Sequence, residues 1–125
     1  MTATQQFSHE KLEVYQLTLS FVGWLADLLP ELKANKEARI GEVVDQIDRA
    51  STSIVLNLAE GNGRRATKQR ARFFDDARGS ATECAGCLDL MVAKRLVSAE
   101  RVEEGKTILV RVVSMLTKLV DRYDK

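Results

Sequence analysis

Five basic residues fall within nine positions of this chain: Arg64, Arg65, Lys68, Arg70 and Arg72. They follow directly on Glu60-Gly61-Asn62-Gly63, where an apolar segment ends. Positive charge at the start of a helix opposes the helix dipole. Cations gathered there, beside amide N–H groups that no helical carbonyl uses, make a surface that attracts anions, and phosphate is the natural ligand class. Lys68 and Arg72 are four residues apart and share a face, which Arg65 extends if the helix starts early. Arg72 can also pair with Asp75 or Asp76. Beside the run lie Phe73 and Phe74, and Phe74 reads as core, so no aromatic platform for stacked bases is evident. Five phosphate contacts would give a log K against log[salt] slope of roughly −3.5 to −4.5. The competing readings are a solvated helix start, and a basic turn that meets an acidic protein or a neighbouring subunit's carboxylates.

The other chemistry-bearing residues form no reactive set. Cys84-Ala85-Gly86-Cys87 has redox spacing, but such a pair works at a helix N-terminus after a strand. This pair falls mid-helix and reads as small core or interface residues. A zinc site wants about four ligands, and His9 is the single histidine. Asp75/Asp76 and Glu103/Glu104 are neighbours in sequence, which point about 100° apart on a helix. No Glu-x-x-His pair is present for a di-iron bundle. GNGRR lacks the Lys-Ser/Thr and the preceding strand of a phosphate loop. The expectation is no enzyme, no metal and no cofactor.

Composition sets the frame for these residues. At 125 residues the chain reads as one domain, 1–125, with 45% hydrophobic and 30% charged residues. The net charge is +1, yet it is uneven: residues 1–63 hold 5 basic and 9 acidic residues, and residues 64–78 hold 6 and 2. The polar start MTATQQFSHEKLE has no apolar signal region, and no window reaches the ~18 apolar residues of a membrane span. With two cysteines and no secretory signal, the expected location is the cytoplasm, with no membrane partner.

Apolar residues recur at alternating steps of three and four in four segments, and no segment alternates with period two. The stripes are Leu12, Tyr15, Leu19, Val22, Ala26 and Leu29; Ile40, Val44, Ile47, Ser51, Ile54 and Leu58; Phe74, Ala77, Ala81, Cys84, Leu88 and Met91; and Val102, Gly105, Leu109, Val112, Leu116, Leu119 and Tyr123. Helices are expected at about 9–32, 37–61, 67–96 and 98–123. Pro30 marks the end of the first or the turn after it. Gly61 and Gly63 end the second through the left-handed conformation glycine tolerates. Thr67 is placed to cap the third, and Ser98 the fourth. Short connections imply an all-α, antiparallel up-down-up-down four-helix bundle.

Two helices carry more apolar surface than one seam needs. Helix 1 has a second stripe of Val14, Leu17, Phe21, Trp24 and Leu28, and helix 4 adds Ile108, Val110, Val113 and Val120. That surface serves either a broad core or a subunit interface, with Phe21, Trp24, Leu28, Val113 and Val120 as interface candidates. Helix 3 is rich in small residues, and its Gly79 and Gly86 cost about 1 kcal/mol each relative to alanine, which close helix approach, within the bundle or across an interface, would offset. Asn57 and Glu60 stand on the last turns of helix 2. Glu60 at a negative helix end needs a cation, and Arg64 or Arg65 is nearest. Asn57, Glu60, Gly61, Gly63 and Arg64 together read as a structural turn network.

These motifs resemble a known family over about residues 10–120. "KLEVYQLTLSF" is similar to its opening helix. "QIDRASTSIVLNLAEGNGRR" is similar to its hallmark Q-I-R-R-A-x-x-S-I-P-x-N-I-A-E-G-x-G-R, and "ARFFDDARGSATE" to the R-F-L-x-x-A-x-G-S-x-x-E helix that follows. The family is that of the four-helix-bundle 23S rRNA intervening-sequence proteins, whose relatives include the accessory variability proteins of diversity-generating retroelements. Val55 stands where the family has proline, and Asp48 where it has the first arginine of a pair. The resemblance implies a bundle assembling as a ring, typically a homopentamer. The retroelement branch implies nucleic acid and a reverse transcriptase as partners. The expectation is a non-enzymatic ring binding RNA or DNA backbone through Arg64, Arg65, Lys68, Arg70 and Arg72. The alternative is a protein-interaction scaffold, accessory to a reverse transcriptase, an rRNA-associated partner or an unidentified protein.

Overall fold

A computed structural model describes residues 6–35 and 40–125. A single 3₁₀ turn, Ser8–Lys11, precedes four helices: α1 Glu13–Lys33, α2 Gly41–Asn62, α3 Thr67–Ala93 and α4 Ala99–Tyr123. No described residue is in a strand. The expected start of helix 2 at residue 37 lies outside the described residues. Helix 1 starts four residues later than expected, because Leu12 adopts an extended conformation between the 3₁₀ turn and α1. Pro30 neither ends α1 nor follows it; it lies inside the last turn, three residues before Lys33.

Each helix is placed by its apolar stripe. The stripes read for α2, α3 and α4 are the ones that pack: Ile47, Ile54 and Leu58, Phe74, Leu88 and Met91, and Leu109, Val112 and Leu116 are all buried. On α1 the two stripes exchange roles. Val14, Phe21, Trp24 and Leu28 are core, with Trp24 only 8% exposed, whereas Leu19 is exposed, Val22 is half-buried, and Leu12, Tyr15 and Leu29 pack only partly against the core. Phe21, Trp24 and Leu28 therefore fill the interior of this chain and are not interface residues. A helix apolar on two sides does not specify which side turns inward; its neighbours do.

The four helices form a square. α1 packs on α2 and α4, and α3 packs on α2 and α4. Bonds between neighbours join the early part of one helix to the late part of the next. Gln46 donates to Glu83 across α2 and α3, Lys106 meets Asp89 at 2.6 Å across α4 and α3, and Arg101 meets Glu31 at 2.6 Å across α4 and α1. The Arg101 hydrogen bonds hold the Glu31 carboxyl below its ordinary range.

The helix ends differ from expectation in an instructive way. Ser98 caps α4, its hydroxyl accepting from the Arg101 amide at 3.1 Å. Thr67 does not cap α3: Ala66 holds the cap position without a side-chain bond, and Thr67 is already helical. Gly63 ends α2 at φ −81°, a right-handed conformation. Among the described residues only Arg95 has positive φ, at 62°. It closes α3 early, at Ala93, with Leu96 N–H donating to Met91 O and Arg95 N–H to Val92 O, both at 2.9 Å. That is the left-handed end glycine usually makes, formed here one helix later than the glycines suggest.

Gly61 is instead required by contact. A Cβ there would meet Phe73 Cβ at 2.8 Å and two Phe74 ring carbons at 3.1–3.2 Å. Gly105 makes room in the same way on α4, where a Cβ would fall within 2.7 Å of three Trp24 ring carbons. Packed there, the Trp24 indole N–H finds no acceptor, the one buried side-chain N or O so placed among the described residues. Within this chain the helix 3 glycines are not pressed by a neighbouring helix: a Cβ on Gly79 or Gly86 would meet nothing within 4 Å.

Candidate functional site

The basic run divides into two groups. Arg70 turns back onto the end of α2, donating from Nε to Arg64 O at 2.6 Å and from Nη2 to Asn62 O at 3.0 Å. It also lies over the Tyr123 ring. A cation on the free carbonyls of a helix C-terminus satisfies both their hydrogen bonding and the dipole. Arg64 pairs with Glu60 at 2.8 Å and covers the Phe73 ring at 5.1 Å. That is the compensation Glu60 needed. Arg64 and Arg70 thus shape the turn.

Arg65, Lys68 and Arg72 are exposed and make no ion pair among the described residues. Arg65 precedes α3, and Lys68 and Arg72 stand one turn apart on its first half. Arg72 does not pair with Asp75 as the spacing allowed, because Arg78 takes that carboxylate at 2.6 Å. Arg78 also reaches across to α4, its Nη1 donating to Thr117 Oγ1 at 3.3 Å. Thr117 in turn donates to Val113 O at 2.8 Å.

Between α3 and α4 these side chains border a cleft of about 440 Å³, lined by Lys68, Ala71, Arg72, Asp75, Arg78, Val120 and Asp124. Arg78 and Thr117 were not singled out from the sequence. The spacing of Lys68, Arg72, Asp75 and Arg78 along one side of α3 was the available signal for Arg78. Nothing local marks Thr117, which is brought in by the packing of α4.

The hallmark polar residues separate into smaller units than the single turn network expected. Asn57 donates to Ser53 O and Oγ at 2.9 Å, and Ser80 on α3 donates to Ser53 Oγ at 2.9 Å. Arg49 donates to Gln46 Oε1 at 2.8 Å, and Gln46 donates onward to Glu83. Gln46, Arg49, Ser53, Asn57, Glu60 and Arg64 recur at steps of three and four, so they make one polar seam along α2 toward α3. Asn57 has no bond to Glu60 or Arg64. α2 runs unbroken through Val55.

The thiols are not poised for chemistry. Cys84 and Cys87 are free and buried. Burial first, then the charges of Cys87 and Glu83, push the Cys84 thiol up to about 12. Burial and Glu83 also raise Cys87. His9, in the 3₁₀ turn before α1, stacks on Phe7 and meets Tyr15 edge-on. Among the described residues no three His, Cys, Asp or Glu side chains gather as metal ligands. No described helix is long and apolar enough to cross a membrane.

Two outer faces carry apolar surface. Along α3 and α4, Thr82, Ala85, Lys106, Leu109, Val110 and Val113 line a groove of about 260 Å³, with Val110 68% exposed. Along α1 and α2, Val22, Leu25 and Leu29 line another of about 280 Å³, which Lys33 and Asp48 also border, and Leu19 and Leu56 are exposed on these helices. Of the interface candidates, half-buried Val113 borders the first groove and half-buried Val120 the basic cleft.

A model of the 23S rRNA-intervening sequence protein family matches residues 10–118. No curated protein matches the chain. Among solved structures it is similar to a protein of unknown function from the S23 ribosomal protein family of Bacteroides thetaiotaomicron. The TM-score is 0.77 and the identity 20%, over 86% of this chain and 97% of that one. At that identity the likeness is one of fold.

Proposed function

The chain belongs to the family of 23S rRNA-intervening sequence proteins, and from that premise we propose that it is a non-enzymatic helical bundle that binds RNA or DNA backbone. The observation that carries this reading is the group of Arg65, Lys68 and Arg72, exposed together without ion-pair partners at the start of α3. Phosphate contacts position a strand but carry no base code. The aromatic rings nearby are occupied: Phe74 is buried, and Arg64 covers Phe73. Binding is therefore weak and sequence-independent, and it takes place in the cytoplasm. With Arg64 and Arg70 committed to the turn, three contacts replace five, and the log K against log[salt] slope becomes about −2 to −3. Titration of mixed-sequence single strands across a salt series tests this. No binding at low salt, or binding unchanged in the Arg65/Lys68/Arg72→Ala variant, would sink it.

A second observation favours assembly. In the square arrangement the α1/α2 groove and the α3/α4 groove lie on opposite sides of an up-down-up-down bundle. Two different apolar faces on opposite sides suit head-to-tail contact, which closes into a ring when the rotation permits. Five copies is the number the resemblance implies. A ring would repeat the basic face around its circumference and strengthen weak backbone binding. A monomeric mass by light scattering at micromolar concentration would remove this part of the reading. The scaffold alternative, in which the basic face meets an acidic protein or an accessory partner such as a reverse transcriptase, predicts no titration with nucleic acid alone.

A further inference from the structure

The cleft between α3 and α4 differs from the rest of the basic surface because it is concave and holds an arginine already fixed in place. Arg78 spans the gap, its Nη2 on Asp75 at 2.6 Å and its Nη1 on Thr117 at 3.3 Å. A guanidinium carries five N–H donors in a rigid plane. Two are engaged here, so Asp75 and Thr117 set the plane while three donors stay available. Lys68 and Arg72 stand on the same wall of the cleft without ion-pair partners. The same cleft holds two carboxylates, Asp75 beside them on α3 and Asp124 at the end of α4. Three cations face two acids, so the net field is modest and a doubly charged group gains more from it than a singly charged one. The volume of about 440 Å³ has room for a phosphate and its attached sugar.

We propose that this cleft seats one phosphate group of a bound strand, with Arg78 as its preset ligand, Lys68 and Arg72 as flanking charges, and Asp75 and Asp124 as competitors that keep affinity low. This rests on the nucleic-acid reading above and adds a discrete site to it. The phosphate is either a strand terminus or an internal diester. A terminal monoester carries about −1.5 to −2 charges at neutral pH against one for a diester, so the field favours the terminus.

The test is anisotropy titration of a labelled short single-stranded RNA, prepared with a 5′-phosphate and with a 5′-hydroxyl. Arg78→Ala should weaken binding about tenfold, the scale of one lost charge-assisted hydrogen-bond pair. Asp75→Asn should tighten it several-fold. Asp76→Asn removes the same charge one residue on, about 100° round the helix, and should change it little. A gain in Asp75→Asn cannot come from unfolding, and the thermal midpoint of Arg78→Ala separates lost binding from lost fold. Tighter binding of the phosphorylated strand assigns the terminus, and equal binding assigns a diester. If Arg65→Ala weakens binding while Arg78→Ala and Asp75→Asn leave it unchanged, the cleft proposal is overturned and the backbone reading stands. If the unaltered protein binds neither strand, both fall.

Discussion

Gly61 and Gly105 lie beneath aromatic rings, whereas Gly79 and Gly86 lie beneath nothing. All four are helical and carry the same intrinsic penalty, so the difference is one of surroundings. At Gly61 the start of α3 presses on the end of α2, and at Gly105 the indole of α1 presses on α4. These sites belong to the closed part of the molecule, together with the Arg70 bonds onto Asn62 O at the end of α2 and Arg64 O in the turn, and the Arg64–Glu60 pair. Gly79 borders the open α3–α4 side, the same side that carries Arg72, Arg78 and the apolar groove of Val110 and Val113. A small residue is a packing device on one side of the bundle and bare surface on the other.

The contrast can be broken most directly at Gly105. Gly105→Ala should destabilise the chain by about 2–3 kcal/mol, since overpacking a filled site outweighs the helix-propensity gain; chemical denaturation measures it. An unchanged midpoint would mean Trp24 does not rest there. Gly61→Ala should cost less, about 1–2 kcal/mol, because the opposing contact is with a single Cβ and a ring edge and is relieved by a small shift of α3. Arg70→Ala should lower stability by about 1 kcal/mol, the scale of a lost helix cap. Its loss should leave the salt slope of nucleic-acid binding unchanged, whereas Arg65→Ala should do the reverse. If Arg70→Ala flattens the slope with no change in melting, the division of the basic run is wrong.

On the open side, Gly79→Ala and Gly86→Ala should each stabilise an isolated chain by about 0.5–1 kcal/mol. Destabilisation, or a lower mass by light scattering, would show that another copy covers α3. The smallest effect concerns pH. Glu31 has its carboxyl pulled below its ordinary 4.5 by Arg101. Its contribution is therefore present above that value and lost as pH falls through the lowered one. The melting midpoint of Glu31→Gln should match the unaltered protein in acid and fall slightly behind it near neutrality.

Much of this arrangement was legible in the residue order. Helical period gave four helices and the buried faces of three. Ser98 carried the signature of its cap, and Glu60 at a helix end called for the arginine that it has. The left-handed end was misplaced because Gly61 and Gly63 signal it, while Arg95 carries no such mark. The basic run was visible as a cluster, but its division was not. Arg64 and Arg70 differ from Arg65 and Arg72 only in what lies within reach once α2, α3 and α4 are packed.

The sequence by itself determined the helical class, the turns that follow α2 and α3 and the sign of the charge at the start of α3. These depend on spacing and local chemistry, which neighbours along the chain decide. Tertiary structure decided which of two apolar faces of α1 turned inward, which glycines were under load and which arginines remained free. It also made the cleft that sets Lys68, Arg72 and Arg78 of α3 against Val120 and Asp124. Those outcomes depend on contacts between residues as far apart as Arg78 and Thr117, and no local pattern records a partner at that separation.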